Sequence, residues 1–202
     1  MKVSIIKYNA GNVQSVLFAL QRIGIEGIIT DDAETIKSSD KVIFPGVGEA
    51  SSAMRYLREH KLDSVIKNLT QPVLGICLGM QLMCKHSEEG NASCLGIFEN
   101  RVKLFTPLSL GEGPGVRFKV PKIGWNNIYE LKSSLLQSVP ENSYMYFVHS
   151  YYVESGNTTI ATTNYITEYS SALNKNNFYA VQFHPEKSAE AGQTILENFI
   201  QL

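Results

Sequence analysis

Short apolar runs, each the length of one strand, recur through the first part of the chain: "KVSIIKY" (Lys2–Tyr8), "EGIIT" (26–30), "KVIFPG" (41–46) and "PVLGIC" (72–77). Runs of this length without polar alternation suit strands buried on both faces. Between the first two lies "NVQSVLFALQRIG", with Val13, Val16, Leu17, Leu20 and Ile23 at helical spacing and Gly24 as the stop. "DDAETIKSSD" and a longer helix-like stretch, Glu49–Leu69, separate the others. Strands alternating with amphipathic helices predict a parallel sheet covered on both sides. The first half should be doubly wound.

After about Leu95 the texture changes. "GIFENRVKLF", "IGWNNIYEL", "YMYFVHSYYV", "TTIATTNY" and "NNFYAVQF" are aromatic and β-branched, and are separated by Gly, Asn and Pro clusters. They predict added antiparallel strands. The closing "GQTILENFIQL" sets Ile195, Leu196, Phe199 and Leu202 on one helical face, so a helix should end the chain against the sheet. "LSLGEGPGVRFKVP" (Leu108–Pro121) is rich in Gly and Pro and reads as a loop between strands. The expected fold is α/β: a doubly wound, mostly parallel central sheet flanked by helices, with added antiparallel strands in the C-terminal half. At 202 residues, a single domain over 1–202 is expected.

Charge excludes some partners. A formal net charge of -1, with 18 basic and 19 acidic residues and no Lys/Arg block, gives nucleic acid or an anionic membrane no purchase. No run approaches the ~18 apolar residues of a membrane span, and no charged-then-apolar leader precedes Val3. A cytoplasmic protein that binds small molecules or another protein is expected. Three unevenly spaced cysteines, Cys77, Cys84 and Cys94, suit reduced thiols. Cys84 and His86 stand two apart in an expected helix and do not share a face, so no metal site is expected.

Cys77 is the residue with chemistry to explain. A lone cysteine in an apolar strand ordinarily packs. Here strand, Gly75-Ile76-Cys77-Leu78-Gly79 and helix follow in the order of a nucleophile elbow, where small residues two away on each side leave room for a tight turn. The helix start favours thiolate, and Leu78 N–H points where an oxyanion would form. A thiol nucleophile needs a base. His60 and His86 lie among charged residues and read as solvated. In "YAVQFHPEKS", by contrast, a strand ends in His184-Pro185-Glu186, and extended backbone puts His184 and Glu186 on one side. Glu186 could then orient the imidazole. A second glycine loop, "VIFPGVG", ends an earlier strand at the same sheet edge and could present backbone N–H groups to an anion.

Together "PGVG", "GICLGMQ" and "HPE" resemble the class I glutamine amidotransferases, whose Cys-His-Glu triad sits on a doubly wound sheet. Within that class the likeness is greatest to the glutaminase branch serving imidazole glycerol phosphate synthase, through "YNAGNVQSV", "PGVG", "LGICLGMQL", "IGWNN", "YFVHSYY" and "NFYAVQFHPEKS". The resemblance implies hydrolysis of L-glutamine to glutamate and ammonia, with Cys77, His184 and Glu186 as triad and the Val47 and Leu78 amides as oxyanion hole. It also implies glutamine contacts at Gly48, Gln81, His149, Ser150 and Tyr151, and no cofactor. The partner implied is a cyclase subunit, in a heterodimer that forms imidazole glycerol phosphate and AICAR in histidine biosynthesis, with Asn12, Trp125, Tyr146 and Lys187 as candidate contacts. A β-branched Val47 resists φ > 0, so a loop needing that conformation would keep the lone subunit poorly active.

Three rivals stand beside this reading: a subunit of a paralogous amidotransferase such as one amidating a sugar, a stand-alone thiol amidohydrolase, and a catalytically silent binding subunit. The intact triad weighs against the last.

Overall fold

The computed structural model describes residues 1–9, 12–106 and 119–202. The Leu108–Pro121 stretch, read as a loop, lies outside them up to residue 118. The chain begins β1 (Val3–Ile6), α1 (Val13–Arg22), β2 (Gly27–Thr30), α2 (Ala33–Lys37) and β3 (Lys41–Phe44). Next come α3 (Ala50–Glu59), α4 (Leu62–Lys67), β4 (Val73–Ile76) and α5 (Leu78–Met83). Two short strands, β5 (His86–Ser87) and β6 (Ala92–Ser93), lead to β7 (Arg101–Leu104), β8 (Lys122–Asn127) and β9 (Tyr144–His149). The chain then runs through β10 (Tyr151–Val153), β11 (Thr159–Asn164), β12 (Glu168–Lys175) and β13 (Phe178–Val181) into α6 (Ala189–Gln201).

β2-β1-β3-β4-β13 form a parallel run, extended by β12, β10, β7, β5 and β6, with β11 on β12. The β13–β12, β12–β10 and β10–β7 pairs are antiparallel, as the C-terminal texture predicts. Alternation along the strands feeds two cores. Ile5, Ile43, Leu74 and Ile76 pack with Val16 and Leu20 of α1 and Ile195 and Phe199 of α6. Ile6, Val42, Phe44 and Val73 pack on the other face with Met54 and Leu57 of α3, Ile66 of α4 and Met80 of α5. Each such side chain contributes roughly 1.5–3 kcal/mol of burial, which fixes the strand register. That register decides where the chemistry sits. Val181 lies beside Ile76 in the β13–β4 pair, so both strands deliver their next residues to one edge. Cys77 N–H is bonded to Val181 O at 2.8 Å.

Three expectations need correction. The helix-like Glu49–Leu69 stretch is two helices, broken where Lys61 takes φ 57; the turn lets Leu57, Leu62 and Ile66 all reach the same core. The helix after Cys77 ends at Met83, because Cys84 is extended at ψ 176, and His86 opens β5, so the two share no helix. The run "YMYFVHSYYV" is not one strand: among the described residues β9 pairs with β8 alone, in a separate two-stranded sheet, and β10 joins the large one.

Candidate active site

The elbow is built from close contacts. Cys77 holds φ 53 and ψ −109, an unfavourable backbone for an L residue with a side chain. A Cβ on Gly79 would strike the Phe44 carbonyl oxygen, and one on Gly75 would lie 3.0 Å from Met80 N. Phe44 ends β3, so only glycine lets α5 start this close to the sheet. α5 is six residues long, and its help to a sulfur anion is from first-turn N–H groups more than from a long dipole.

His184 and Glu186 follow β13 on the same edge. His184 Nδ1 and Glu186 Oε1 are 2.8 Å apart, with both side chains almost fully buried. The nitrogen facing the carboxylate carries a proton, which leaves Nε2 for Cys77, whose sulfur is near enough to shift the imidazole. Burial opposes a charged imidazole here. The hydrogen bonds to Cys77 and Glu186, and their charges, outweigh burial and push His184 up to about 10. Cys77, His184 and Glu186 thus come together as the sequence predicts.

Asn12, a candidate partner contact, touches this cluster: its Nδ2 donates to Glu186 Oε1 at 2.5 Å and lies 3.5 Å from His184 Nδ1. Trp125, Tyr146 and Lys187 do gather. The Trp125 and Tyr146 rings meet edge to face at 5.9 Å, and Lys187 Nζ stands 6.0 Å over Tyr146. Cross-strand register aligns Ile123 with Val148, Trp125 with Tyr146 and Asn127 with Tyr144 on one outward face. Ile123 and Tyr144 there are more than 60% exposed.

The expected oxyanion donors are not assembled in this conformation. Leu78 N–H donates to Gly46 O at 3.2 Å. In a trans peptide the carbonyl and the following N–H point opposite ways, so Val47 N–H faces away from the site. Val47 lies outside the positive-φ region, whereas Gly48 has φ +120. Tyr8, in the quoted "YNAGN" run, anchors this loop through a bond from its hydroxyl to Pro45 O at 2.8 Å.

A cavity of about 210 Å³ opens beside the thiol, lined by Val47, Gly48, Cys77, Leu78, Gln81, Glu89, Val148, Ser150 and Tyr151. Gly48, Gln81, Ser150 and Tyr151, the glutamine contacts that the resemblance implies, are among these lining residues. At His149 the resemblance implies a backbone contact, and the imidazole lies elsewhere. It is buried, with Nδ1 2.8 Å from Tyr151 O and Nε2 3.3 Å from Tyr169 Oη, and packs on Phe105 and Phe147. Burial, more than offsetting the Tyr151 bond, pushes it down to about 4. It shapes the wall as a neutral core residue because β9 alternation turns it inward with Met145 and Phe147.

Two residues in the site escaped the sequence reading. Glu89 sits in a 3-10 turn after α5, its Oε2 bonded to Ala50 N at 2.8 Å, and burial raises its carboxyl above the usual range. Within "KHSEEG" it looks like any solvated acid. Gln182, one residue past β13, is fully buried with Nε2 3.7 Å from Cys77 Sγ. Its position two before His184 was the available signal. Among the described residues, no group of acids, histidines and cysteines could hold a metal ion, and no helix is long and apolar enough to cross a membrane.

A doubly wound sheet with a cysteine elbow at one strand end and a buried His-Glu pair at the next defines a class of thiol amidotransferases. The sequence matches the glutamine amidotransferase class-I family over residues 5–202, and the chain belongs to that family. It is 57% identical over 202 residues to the imidazole glycerol phosphate synthase subunit HisH of Bacteroides fragilis (strain YCH46), covering 100% of both chains. To the subunit of the same name from Haemophilus influenzae (strain Rd) it is 43% identical, over 100% of this chain and 98% of that one. A solved structure agrees in fold: the crystal structure of a glutamine amidotransferase superposes with a TM-score of 0.73 at 17% identity, over 100% of this chain and 98% of that one.

Proposed function

We propose that the chain, acting as one domain over its 202 residues, is the cytoplasmic glutaminase subunit of an imidazole glycerol phosphate synthase. It hydrolyses L-glutamine and hands the ammonia to a cyclase subunit. The buried Cys77–His184–Glu186 cluster beside a cavity that the thiol lines carries this reading. His184 has taken the thiol proton before sulfur attacks the side-chain amide carbon, and gives it to the departing ammonia. It next deprotonates the water that cleaves the thioester and releases glutamate. Glu186 fixes the imidazole tautomer and offsets its charge.

Leu78 and Val47 amides serve the oxyanion once the Gly46–Val47 peptide has turned over. Turning it rotates Val47 φ by about half a circle into the region a β-branched residue resists, at a cost of roughly 1–3 kcal/mol. A donor missing from such a hole costs ~3–4 kcal/mol of barrier, so the conformation seen here is a slow enzyme. Both N–H groups of Gln81 Nε2 are engaged, by Tyr151 O and Gln182 Oε1, each at 2.9 Å, leaving its Oε1 for substrate. Glu89 pairs with the substrate's α-ammonium.

The cyclase docks on the outward face of β8 and β9, with Trp125, Tyr146 and Lys187 as contacts. Val148 joins this face to the cavity, since it is 37% exposed and also lines the pocket. A stand-alone hydrolase has no use for an exposed apolar face or a blocked Leu78 N–H. The deciding experiment measures glutamate release from glutamine by the chain alone and with a cyclase plus its substrate. Stimulation by the cyclase, abolished in Cys77→Ala, is expected; equal rates with and without it would overturn the coupling.

A further inference from the structure

Gln182 is fully buried, and its surroundings settle which end of its amide faces which neighbour. The Tyr151 carbonyl can only accept, so the Gln81 atom 2.9 Å from it is the NH2 group. That same nitrogen lies 2.9 Å from Gln182, which must therefore present its oxygen. The Gln182 NH2 group then faces the other way, 3.7 Å from Cys77 Sγ, a normal separation for N–H to sulfur. The chain of bonds continues outward. The Tyr151 carbonyl also accepts from His149 Nδ1–H at 2.8 Å, and His149 Nε2 accepts from Tyr169 Oη–H at 3.3 Å. Every link has its donor and acceptor fixed by the next.

We propose that Gln182 is a further catalytic residue, donating a side-chain N–H to Cys77 Sγ and thereby favouring the anionic sulfur over the neutral thiol. The proposal rests on Cys77 being the nucleophile. Gln182 acts twice in the cycle. It raises the share of sulfur ionised before attack, and it stabilises the same sulfur as leaving group when water cleaves the thioester. No bond to Gln182 forms or breaks. Gln81 holds it in place, so the residue that meets substrate through one amide end also positions the donor to sulfur through the other.

Gln182→Met keeps the bulk and removes the donor. At pH 7 the rate of Cys77 alkylation by iodoacetamide, read on the Cys77 peptide by mass spectrometry, should fall about tenfold, the scale of a hydrogen bond to a charged group. The pH profile of kcat for glutamine should move to higher pH. A purely structural role would lower stability and raise KM through Gln81 but leave the alkylation rate and the pH profile in place; if both are unchanged the proposal is overturned. Should the variant not fold, the wild-type chain supplies the test. With 15N labelling, the Gln182 side-chain amide signals should shift over the same pH range as Cys77 alkylation, and this movement should vanish in Cys77→Ala. Signals that stay still overturn the proposal. Absence of glutamate release by the wild-type chain with a cyclase and its substrate would instead sink the glutaminase reading, and the amide signals would still judge the contact.

Discussion

At the scale of residues, the roles proposed for Val47 and Glu89 bear on different terms of one reaction. Val47→Gly removes the β-branched penalty on turning the Gly46–Val47 peptide. At about 1.4 kcal/mol per factor of ten, the basal glutaminase rate should rise roughly tenfold. The rate with a cyclase bound should change far less, which a paired assay of the two states measures. The pairing proposed for Glu89 with the α-ammonium concerns binding. Glu89→Gln should raise KM for glutamine about tenfold with kcat within twofold, the pattern of an interaction shared by ground and transition states. Because burial raises the Glu89 carboxyl, it protonates at higher pH than an exposed glutamate, and wild-type KM should climb there as pH falls. The variant's KM should be flat over that range.

At the scale of elements, the strands and the triad were legible because burial and spacing write themselves into sequence. "PVLGIC" predicted a buried strand ending in an elbow, and β4 with Cys77 is that. Long-range geometry was not legible. Nothing local tells that β13 inserts beside β4, that β8 and β9 leave the main sheet, or that His149 turns into the core while its neighbours Val148 and Ser150 face the cavity. The oxyanion loop shows the same limit: "PGVG" predicted a glycine turn, but only the bond from Leu78 N–H to Gly46 O shows which way the peptide faces. Contacts between elements also predict where the elbow is brittle. A methyl group on Gly79 must push α5 off the Phe44 carbonyl, backbone against backbone. Gly79→Ala should therefore cost at least about 2–3 kcal/mol in urea unfolding and erase activity, whereas Gly24→Ala, with nothing within 4 Å, should cost only its positive-φ strain.

Over the whole molecule, two buried histidines pull stability in opposite directions around one pH. His149 is pushed down to about 4 and His184 up to about 10, from an ordinary 6.5. Between 4 and 6.5 the unfolded chain holds the His149 proton and the native state does not, so stability rises with pH and is lost on acidification. The window is worth about 3 kcal/mol at ~1.4 kcal/mol per pH unit. His184 has the other sign: its contribution is complete below 6.5 and is lost as pH rises toward about 10. Stability should therefore peak near neutrality, with both limbs set inside the active-site wall. Charges facing His149 sharpen its limb, since Lys122 and His184 both disfavour a second cation there. His149→Gln removes one limb alone. It should be less stable than wild type at pH 7, where two hydrogen bonds are lost, and the gap should narrow by about 3 kcal/mol by pH 4 in urea unfolding. A gap that stays constant would mean His149 titrates at its ordinary pH, and direct observation of its ring by NMR between pH 7 and pH 4 reads the same quantity in the native chain.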